Sequence, residues 1–375
     1  MDAGTTDETV IWLQLARCEG VGAVTCNRLL AAHGSPLAAL EVVRRHPAAD
    51  GTQRRVPDRL EMLRELTALA DLGGHLLVSG RAHYPDSLRS LPDAPPVLSV
   101  RGDPGLLRHP AVAIVGARNA SAHGCLFARR LGQELAAEGL VVVSGLARGI
   151  DTAAHEGALA AGGATVAVIA GGVDVVYPPE NAALMERIVV EGAVVAERSL
   201  GAIARAKDFP RRNRVIAGLA LGVVVVEAAP ASGSLITARL ALDYGREVMA
   251  VPGSPQDPRH RGTNRLLRDG AHLVESAADV LAVLGPLRAH DRPPPVRSVR
   301  LPRPPPSPSA RPPVEHRTSL SDRVLAALGP VPLAVDELIR ECDAAAPEMQ
   351  AALLELELAG RIDRQPGNRV CLRAG

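Results

Sequence analysis

Short, continuous apolar runs alternate with longer segments of helical periodicity in the middle of the chain, residues 81–285. The run AVAIVG (111–116) is apolar at every position, which is typical of a strand buried on both faces of a sheet. Helical patterns separate it from the comparable runs VVVSG, TVAVIAGG, AVVAE, GVVVVEA and EVMAVPG. Strands that alternate with crossover helices predict an α/β core with a parallel, doubly wound sheet.

The first 80 residues predict a small helical domain (1–80). Two helical patterns flank the break Gly20-Val21-Gly22. Two interpretations are open: the glycine loop contacts a DNA backbone, as in SAM-like or helix-hairpin-helix modules, or the segment is an ordinary αα-hairpin. A single copy of the motif favours the ordinary hairpin.

The other end of the chain predicts a linker and a third domain. Eleven of the 32 residues from 286 to 317 are proline, so this segment is expected to be an extended linker without a core. Residues 318–375 show three helical patterns, the last ending at Gly360, and then two short strands around Pro366-Gly367. This order predicts a winged-helix-like domain. Its many acidic residues favour contact with protein over contact with DNA.

Composition and charge narrow the class of protein. The net charge is +1, so a polyanionic partner would have to meet a local basic patch. Five cysteines form no CxxC pair, which argues against a disulfide framework and a zinc site. The polar, acidic start lacks the apolar segment of a signal peptide, and no apolar run reaches the ~20 residues of a membrane span. We therefore expect a cytoplasmic protein.

Glycine and serine follow several predicted strands at their carboxyl ends, where parallel sheets bind ligands. Examples are Ser144-Gly145 with Gly149, the pair Gly171-Gly172, and Ser232-Gly233-Ser234, which opens a helix carrying Thr237. Such turns let backbone N–H groups and hydroxyls approach an anion. We expect this edge to bind phosphate groups, although plain steric turns are the alternative. The spacing matches neither GxGxxG nor GxxxxGK[ST], so no dinucleotide or nucleoside-triphosphate cofactor is predicted.

The segment KDFPRRNR (207–214) brings cations toward the same edge. Lys207 is the only lysine in the chain, and Phe209 is one of two phenylalanines. Cations that track phosphates beside a ring that stacks on a base are typical of a site for single-stranded nucleic acid. Two alternatives stay open: the charges form a solvated face, or Phe209 is a core ring that anchors the loop.

No catalytic set emerges from the eleven histidines or from the serines and carboxylates. Asp151 is expected to cap a helix rather than act as a base. Glu227 ends a strand beside the predicted phosphate turns and is the best single candidate for an acid or base. We predict no enzyme activity, no metal and no cofactor.

Five ordered motifs resemble the DNA-processing protein A (DprA/Smf) family. They are AIVGARNAS, VVSGLARGIDTAAHEGAL, GGVDVVYPPEN, FPRRNRVIAGLA and VVVVEAAPASGSLITARLALDYGREVMAVPG. The resemblance covers residues 80–285 and extends more loosely to both ends. It implies an extended Rossmann-like core that binds single-stranded DNA, forms a homodimer and has no enzyme activity. It also implies loading of the RecA recombinase onto incoming single strands during natural transformation, with displacement of single-strand-binding protein.

By the matching motifs, Arg118 and the basic residues of FPRRNR would contact DNA, and the glycine turns would hold phosphates. The full set expected to contact single-stranded DNA is Arg118, Ser144, Gly145, Arg148, Gly149, Gly171, Gly172, Lys207, Phe209, Arg211, Arg212, Asn213, Arg214, Ser232, Gly233, Ser234 and Thr237.

Other classes of function remain as alternatives. Related Rossmann-like enzymes hydrolyse nucleotide N-glycosidic bonds with a glutamate in a glycine-rich loop, but Thr237 or Ala238 stands near that place in this chain. A nucleotide sensor that signals through the C-terminal domain would not need so many cations. A scaffold that binds only proteins would leave the phosphate turns unexplained.

Overall fold

A computed structural model describes residues 3–46, 54–288, 319–328, 333–359, 361–365 and 368–372. The chain begins with a helical domain, in which Trp12 is buried. Ser35 caps the third helix, and Asp58 forms a reciprocal capping box with Glu61 at the start of the fourth. The helices are α1 (Ala3–Arg17), α2 (Ala23–His33), α3 (Pro36–Arg45) and α4 (Arg59–Asp71).

A nine-stranded sheet forms the middle of the molecule, in the order β1-β2-β6-β5-β4-β3-β7-β8-β9. The strands from β6 to β9 in this order are parallel, whereas β1 and β2 extend the sheet antiparallel. The strands are β1 (Gly74–Val78), β2 (Val97–Gly102), β3 (Ala111–Val115), β4 (Val141–Ser144), β5 (Thr165–Ile169), β6 (Ala193–Ala196), β7 (Gly222–Val225), β8 (Glu247–Ala250) and β9 (His272–Leu273). The predicted α/β class with a largely parallel core is therefore confirmed.

Helices cover both faces of the sheet. The side chains of β3 alternate between two apolar clusters, one with α9 and α10 and the other with α6, α7 and α12. The contact between α6 and α7 is close, since a Cβ at Gly157 would lie 1.9 Å from the carbonyl oxygen of Arg129. The helices are α5 (Asp86–Arg89), α6 (Ala122–Ala137), α7 (Ile150–Ala160), α8 (Ala182–Glu191), α9 (Asp208–Leu219), α10 (Gly233–Asp243), α11 (Arg261–Arg268) and α12 (Ala277–Arg288).

Two predicted boundaries differ from the elements observed. Residues 74–78, assigned to the helical domain 1–80, form β1 and pair with β2 in the central sheet. The predicted linker 286–317 begins inside a helix, because α12 continues through Pro286 to Arg288. The rest of that segment lies outside the described residues.

The C-terminal domain has the predicted winged-helix order. Its helices are α13 (Leu320–Ala327), α14 (Val335–Glu341) and α15 (Ala346–Leu358), and its small sheet has the order β10 (Leu333–Ala334), β12 (Arg369–Leu372), β11 (Ile362–Gln365). The predicted helix stop at Gly360 and the turn at Pro366-Gly367 lie outside the described residues. Ala122 and Leu126 of α6 pack against the apolar core of this domain, so it contacts the central domain directly.

None of the helices traced in the described ranges is both long and apolar enough to cross a membrane.

Candidate nucleic-acid interface

The direction of the chain reverses between β3 and β7, which lie side by side and parallel. From β3 the chain builds β4, β5 and β6 on one side, and β7, β8 and β9 on the other. A crevice opens at the carboxyl ends of strands where the order reverses. Two adjoining cavities of about 1610 and 320 Å³ occupy this position, and Arg118, Tyr177, Phe209 and Arg212 line both. We call the two cavities together the cleft.

Phe209 lies between a cation and a second ring. The guanidinium carbon of Arg118 is 4.7 Å from the centroid of the Phe209 ring. The ring of Tyr177 lies 5.7 Å from Phe209, centroid to centroid, at 56°. Phe209 is half-buried, whereas Tyr177 is 51% exposed. Phe209 therefore faces the cleft, as one of the two interpretations of its ring requires, and Tyr177 offers more free aromatic surface.

Arg212 is held inside the protein by the turn after β4 and by β5. Its guanidinium is buried and donates hydrogen bonds to the carbonyl oxygens of Gly145, at 2.6 Å, and of Val168. Burial lowers the pKa of Arg212 to about 10, and the nearby Asp151 carboxylate opposes that shift. Burial raises the pKa of Asp151, while the charge of Arg212 lowers it. Arg212 is thus held by its own fold although part of it lines the cleft.

The other cations of KDFPRRNR point in different directions. Lys207 and Arg211 are exposed but do not line the cleft. Arg214 is mostly buried and pairs with Glu197 at 2.5 Å. A helix turns by about 100° per residue, so consecutive cations on α9 cannot all face one surface.

At the glycine turn that follows Ser144, a side chain of the protein already binds the backbone N–H groups. The carboxylate of Asp151 accepts hydrogen bonds from the N–H groups of Gly145 and Ala147, at 3.1 and 3.4 Å. The N-terminal cap of α7 is Gly149, so the prediction that Asp151 caps this helix was wrong. Ser144 donates to the carbonyl oxygen of Ile114 at 2.6 Å inside the core.

The glycine turn Ser232-Gly233-Ser234 opens helix α10 toward the cleft. Ser232 caps α10 and lies 2.7 Å from the hydroxyl of Ser234. Asn213 of α9 donates to the carbonyl oxygen of Gly233 at 3.2 Å and fixes this turn against the basic helix. The N-terminus of α10 thus presents backbone N–H groups and two hydroxyls to an anion. The neighbouring Thr237 is almost fully buried.

The cleft brings together most of the predicted residues. Those that line it are Arg118, Gly145, Arg148, Gly171, Phe209, Arg212, Asn213, Ser232, Gly233, Ser234 and Thr237. Those that do not are Ser144, Gly149, Gly172, Lys207, Arg211 and Arg214.

Several residues that line the cleft were not predicted, among them Asn119, Tyr177 and Arg259. Tyr177 is one of three tyrosines and follows the pair Gly171-Gly172 within the motif GGVDVVYPPEN, so rarity and position could have pointed to it. Arg259 carries no comparable signal.

The carboxylates near the cleft serve the fold. Glu227 accepts hydrogen bonds from the hydroxyl and backbone N–H of Ser121, at 2.5 and 2.9 Å, and does not line the cleft. Asp257 binds Arg259 at 2.9 Å. Within the described ranges, no group of three or more histidines, cysteines and carboxylates is placed to hold a metal ion.

Three family models match the chain. The model described as DNA recombination-mediator protein A matches residues 75–285. A DprA-like N-terminal HHH domain matches residues 6–68, and a DprA winged helix domain matches residues 304–368. The three matches follow the same order as the three domains.

Relatives and solved structures are similar to this chain over much of their length. Protein Smf of Escherichia coli is 38% identical over 308 residues, 80% of this chain and 78% of that protein. Protein Smf of Synechocystis is 35% identical over 314 residues, 76% and 77% of the two chains. The X-ray structure of DNA processing protein A from Streptococcus pneumoniae aligns with a TM-score of 0.57 and 39% identity, over 66% of this chain and 82% of that one. The structure of DNA processing protein A from Helicobacter pylori, described for its single-stranded DNA binding mode, aligns with a TM-score of 0.52 and 30% identity, over 57% of this chain and 96% of that one.

Proposed function

This chain belongs to the DNA recombination-mediator protein A family, and on that premise we propose that it binds single-stranded DNA in the cleft between β3 and β7. The arrangement at Phe209 carries the proposal: an exposed cation, Arg118, lies on one ring and a second ring, Tyr177, lies beside it. Stacking surfaces together with cations suit single strands, because their bases are free to leave the helical stack.

Phosphate groups would be met by two kinds of donor. The N-terminus of α10, with Ser232 and Ser234, offers N–H and hydroxyl groups and the positive end of a helix dipole. Arg118 offers an exposed guanidinium at the mouth of the cleft, and Lys207 and Arg211 lie exposed on the basic segment nearby. Any preference for sequence should be slight, since these groups do not read base edges.

We propose that the DNA is bound and not chemically changed. The carboxylates best placed to act on a ligand are engaged: Asp151 accepts two backbone N–H groups, and Asp257 is paired with Arg259. Thr237 and Ala238, near the place of the glutamate in related nucleotide hydrolases, are buried and carry no carboxylate.

Fluorescence anisotropy of a labelled single-stranded oligonucleotide tests the binding site. We expect salt-sensitive binding to the wild-type chain that duplex DNA and free nucleotides compete for only weakly. Arg118→Ala should weaken binding, and Arg130→Ala, an exposed arginine of α6 outside the cleft, should not. Equal effects of the two substitutions would refute the site. Competition or turnover seen only with free nucleotides would favour a nucleotide-binding enzyme.

We also propose a homodimer that loads the RecA recombinase onto bound single strands and displaces single-strand-binding protein. Family membership supports this role. RecA filament formation on oligonucleotides coated with single-strand-binding protein should accelerate when the chain is added, and the Arg118→Ala variant should accelerate it less. One chain has a mass of 39.1 kDa, and light scattering should give twice that mass.

A further inference from the structure

The C-terminal domain forms part of the wall of the cleft. Leu325 and Ala326 of α13, Leu328 at its end and Leu372 of β12 line the larger cavity. These side chains are apolar, and the domain around them is rich in carboxylates. These four side chains of the C-terminal domain therefore have no group that attracts phosphate. Arg118, an exposed cation that lines the cleft, belongs to the central domain.

Arg259 joins the two domains at the cleft. Its guanidinium donates to the carbonyl oxygens of Ala326, at 3.1 Å, and Leu328, at 2.8 Å. Asp257 holds the same guanidinium at 2.9–3.2 Å through both carboxylate oxygens. With the C-terminal domain in place, every nitrogen of Arg259 has an acceptor, although the side chain also lines the cleft.

A second contact lies on α6. Ala122 and Leu126 pack into the apolar core of the C-terminal domain. Burial raises the pKa of Glu341 of α14, and the charge of Arg129 and the Cys125 thiol, both on α6, oppose that shift. The C-terminal domain thus contacts the central domain through the apolar packing on α6, the surroundings of Glu341 and the hydrogen bonds of Arg259.

We propose that the C-terminal domain and single-stranded DNA compete for the cleft, with Arg259 as the residue that both bind. Arg259 would release the end of α13 and take a phosphate group when a single strand enters, and the C-terminal domain would then leave its docked position. This rests on the proposed function, because it needs single-stranded DNA in the cleft.

The chemistry of Arg259 favours the exchange. Two of its present acceptors are carbonyl groups at a helix C-terminus, which carry a partial negative charge, and the third is Asp257. A phosphate carries a full charge and pairs with a guanidinium through two parallel hydrogen bonds. Carboxylates of the docked domain also repel an approaching strand. Release would also expose Leu126, which the docked domain covers.

Hydrogen exchange of the full chain tests the competition directly. We would compare the amide protection of α13 and α14 with and without an oligonucleotide, and confirm saturation by anisotropy in the same sample. We expect α13 to lose protection at saturation while β3 and β7 keep theirs. Unchanged or increased protection of α13 at saturation would overturn the proposal.

Affinity measurements on full-length variants give an independent test. Leu126→Gln adds no charge and should weaken the contact between α6 and the C-terminal domain. We expect oligonucleotide affinity to rise by about 5-fold or more, which is the usual size of the coupling between two binding events. Ala137→Gln, on an exposed position of the same helix, is the matched control and should leave affinity unchanged. In the Leu126→Gln background, Arg259→Ala should weaken binding and reduce the salt slope by about 0.7.

The outcomes distinguish failure of the proposed competition from failure of the proposed function. Glu341→Gln, on the opposite side of the contact, should act like Leu126→Gln if the latter fails to fold. Normal oligonucleotide binding with no gain in either variant would overturn the competition and leave the proposed function intact. Binding by neither wild type nor these variants would overturn both.

Discussion

Arg212 provides the sharpest test of how the cleft is built. It lies in a basic segment whose cations are expected to meet DNA, yet its guanidinium is buried against two backbone carbonyl oxygens and Asp151. We predict that Arg212→Leu destabilises the fold first and affects DNA binding only as a consequence. The substitution leaves two carbonyl groups without a donor and Asp151 without its cation.

The expected magnitude follows from these contacts. Hydrogen bonds from charged donors contribute about 1.5–3 kcal/mol each. The charge of the buried Asp151 carboxylate nearby also loses the cation that offsets it. We therefore expect the free energy of unfolding to fall by about 3–5 kcal/mol. With a urea dependence of about 2 kcal/mol per molar, the midpoint of unfolding shifts by about 2 M.

Urea unfolding followed by far-ultraviolet circular dichroism measures this shift. Arg211→Leu, an exposed arginine one residue earlier, is the matched control and should change stability by at most about 0.5 kcal/mol. Adding Asp151→Asn to Arg212→Leu should cost less than the sum of the single substitutions, since the two buried charges lie close enough to interact. The reasoning would be refuted if Arg212→Leu kept wild-type stability and lost DNA affinity as Arg118→Ala does.

Three further predictions concern binding and pH. Arg118→Ala and Lys207→Ala should each weaken single-strand binding and flatten its salt slope by about 0.7 per lost phosphate contact, measured by anisotropy; unchanged slopes in both would contradict the assignment. Phe209→Ala should cost about 1–3 kcal/mol of binding at an unchanged salt slope, and an unfolded variant would instead identify a core ring. Burial lowers the pKa of His155 to about 3, below its usual value, so its contribution to stability is full above about pH 6.5 and is lost as the pH falls toward 3, by up to about 1.4 kcal/mol per unit. Acid unfolding of His155→Gln should show a shallower loss over this window, and an identical profile would exclude His155 as a cause.

The sequence was sufficient to predict the strands and the edge where the cleft opens. The run AVAIVG is apolar throughout because β3 is buried on both faces, and this pattern needs no knowledge of its neighbours. The glycine and serine turns follow the same strands, so their common edge could be predicted from the rule for parallel sheets.

The direction of individual side chains could not be predicted in the same way. Arg212 and Arg214 are two residues apart, yet the first meets carbonyl groups after β4 and within β5 and the second meets Glu197 after β6. These acceptors are set by the order of strands in the sheet. Arg259 was missed for a related reason: two of its partners are carbonyl groups 67 and 69 residues away in another domain, and backbone acceptors leave no mark in a sequence.

Trp12, the only tryptophan of the chain, is buried in a cluster that joins Leu13 and Met62 of the helical domain to Val78 of β1 and Val97 of β2, away from the residues that line the cleft. Indole emission therefore reports on the contact between the helical domain and the central sheet. A DNA titration followed by this signal alone would not detect binding at Phe209 or release of the C-terminal domain. Conversely, a denaturation curve recorded by indole emission and one recorded by circular dichroism should separate if the helical domain leaves the sheet before the sheet unfolds. The emission of Trp12 can thus be used to measure whether the helical domain and the sheet unfold as one cooperative unit.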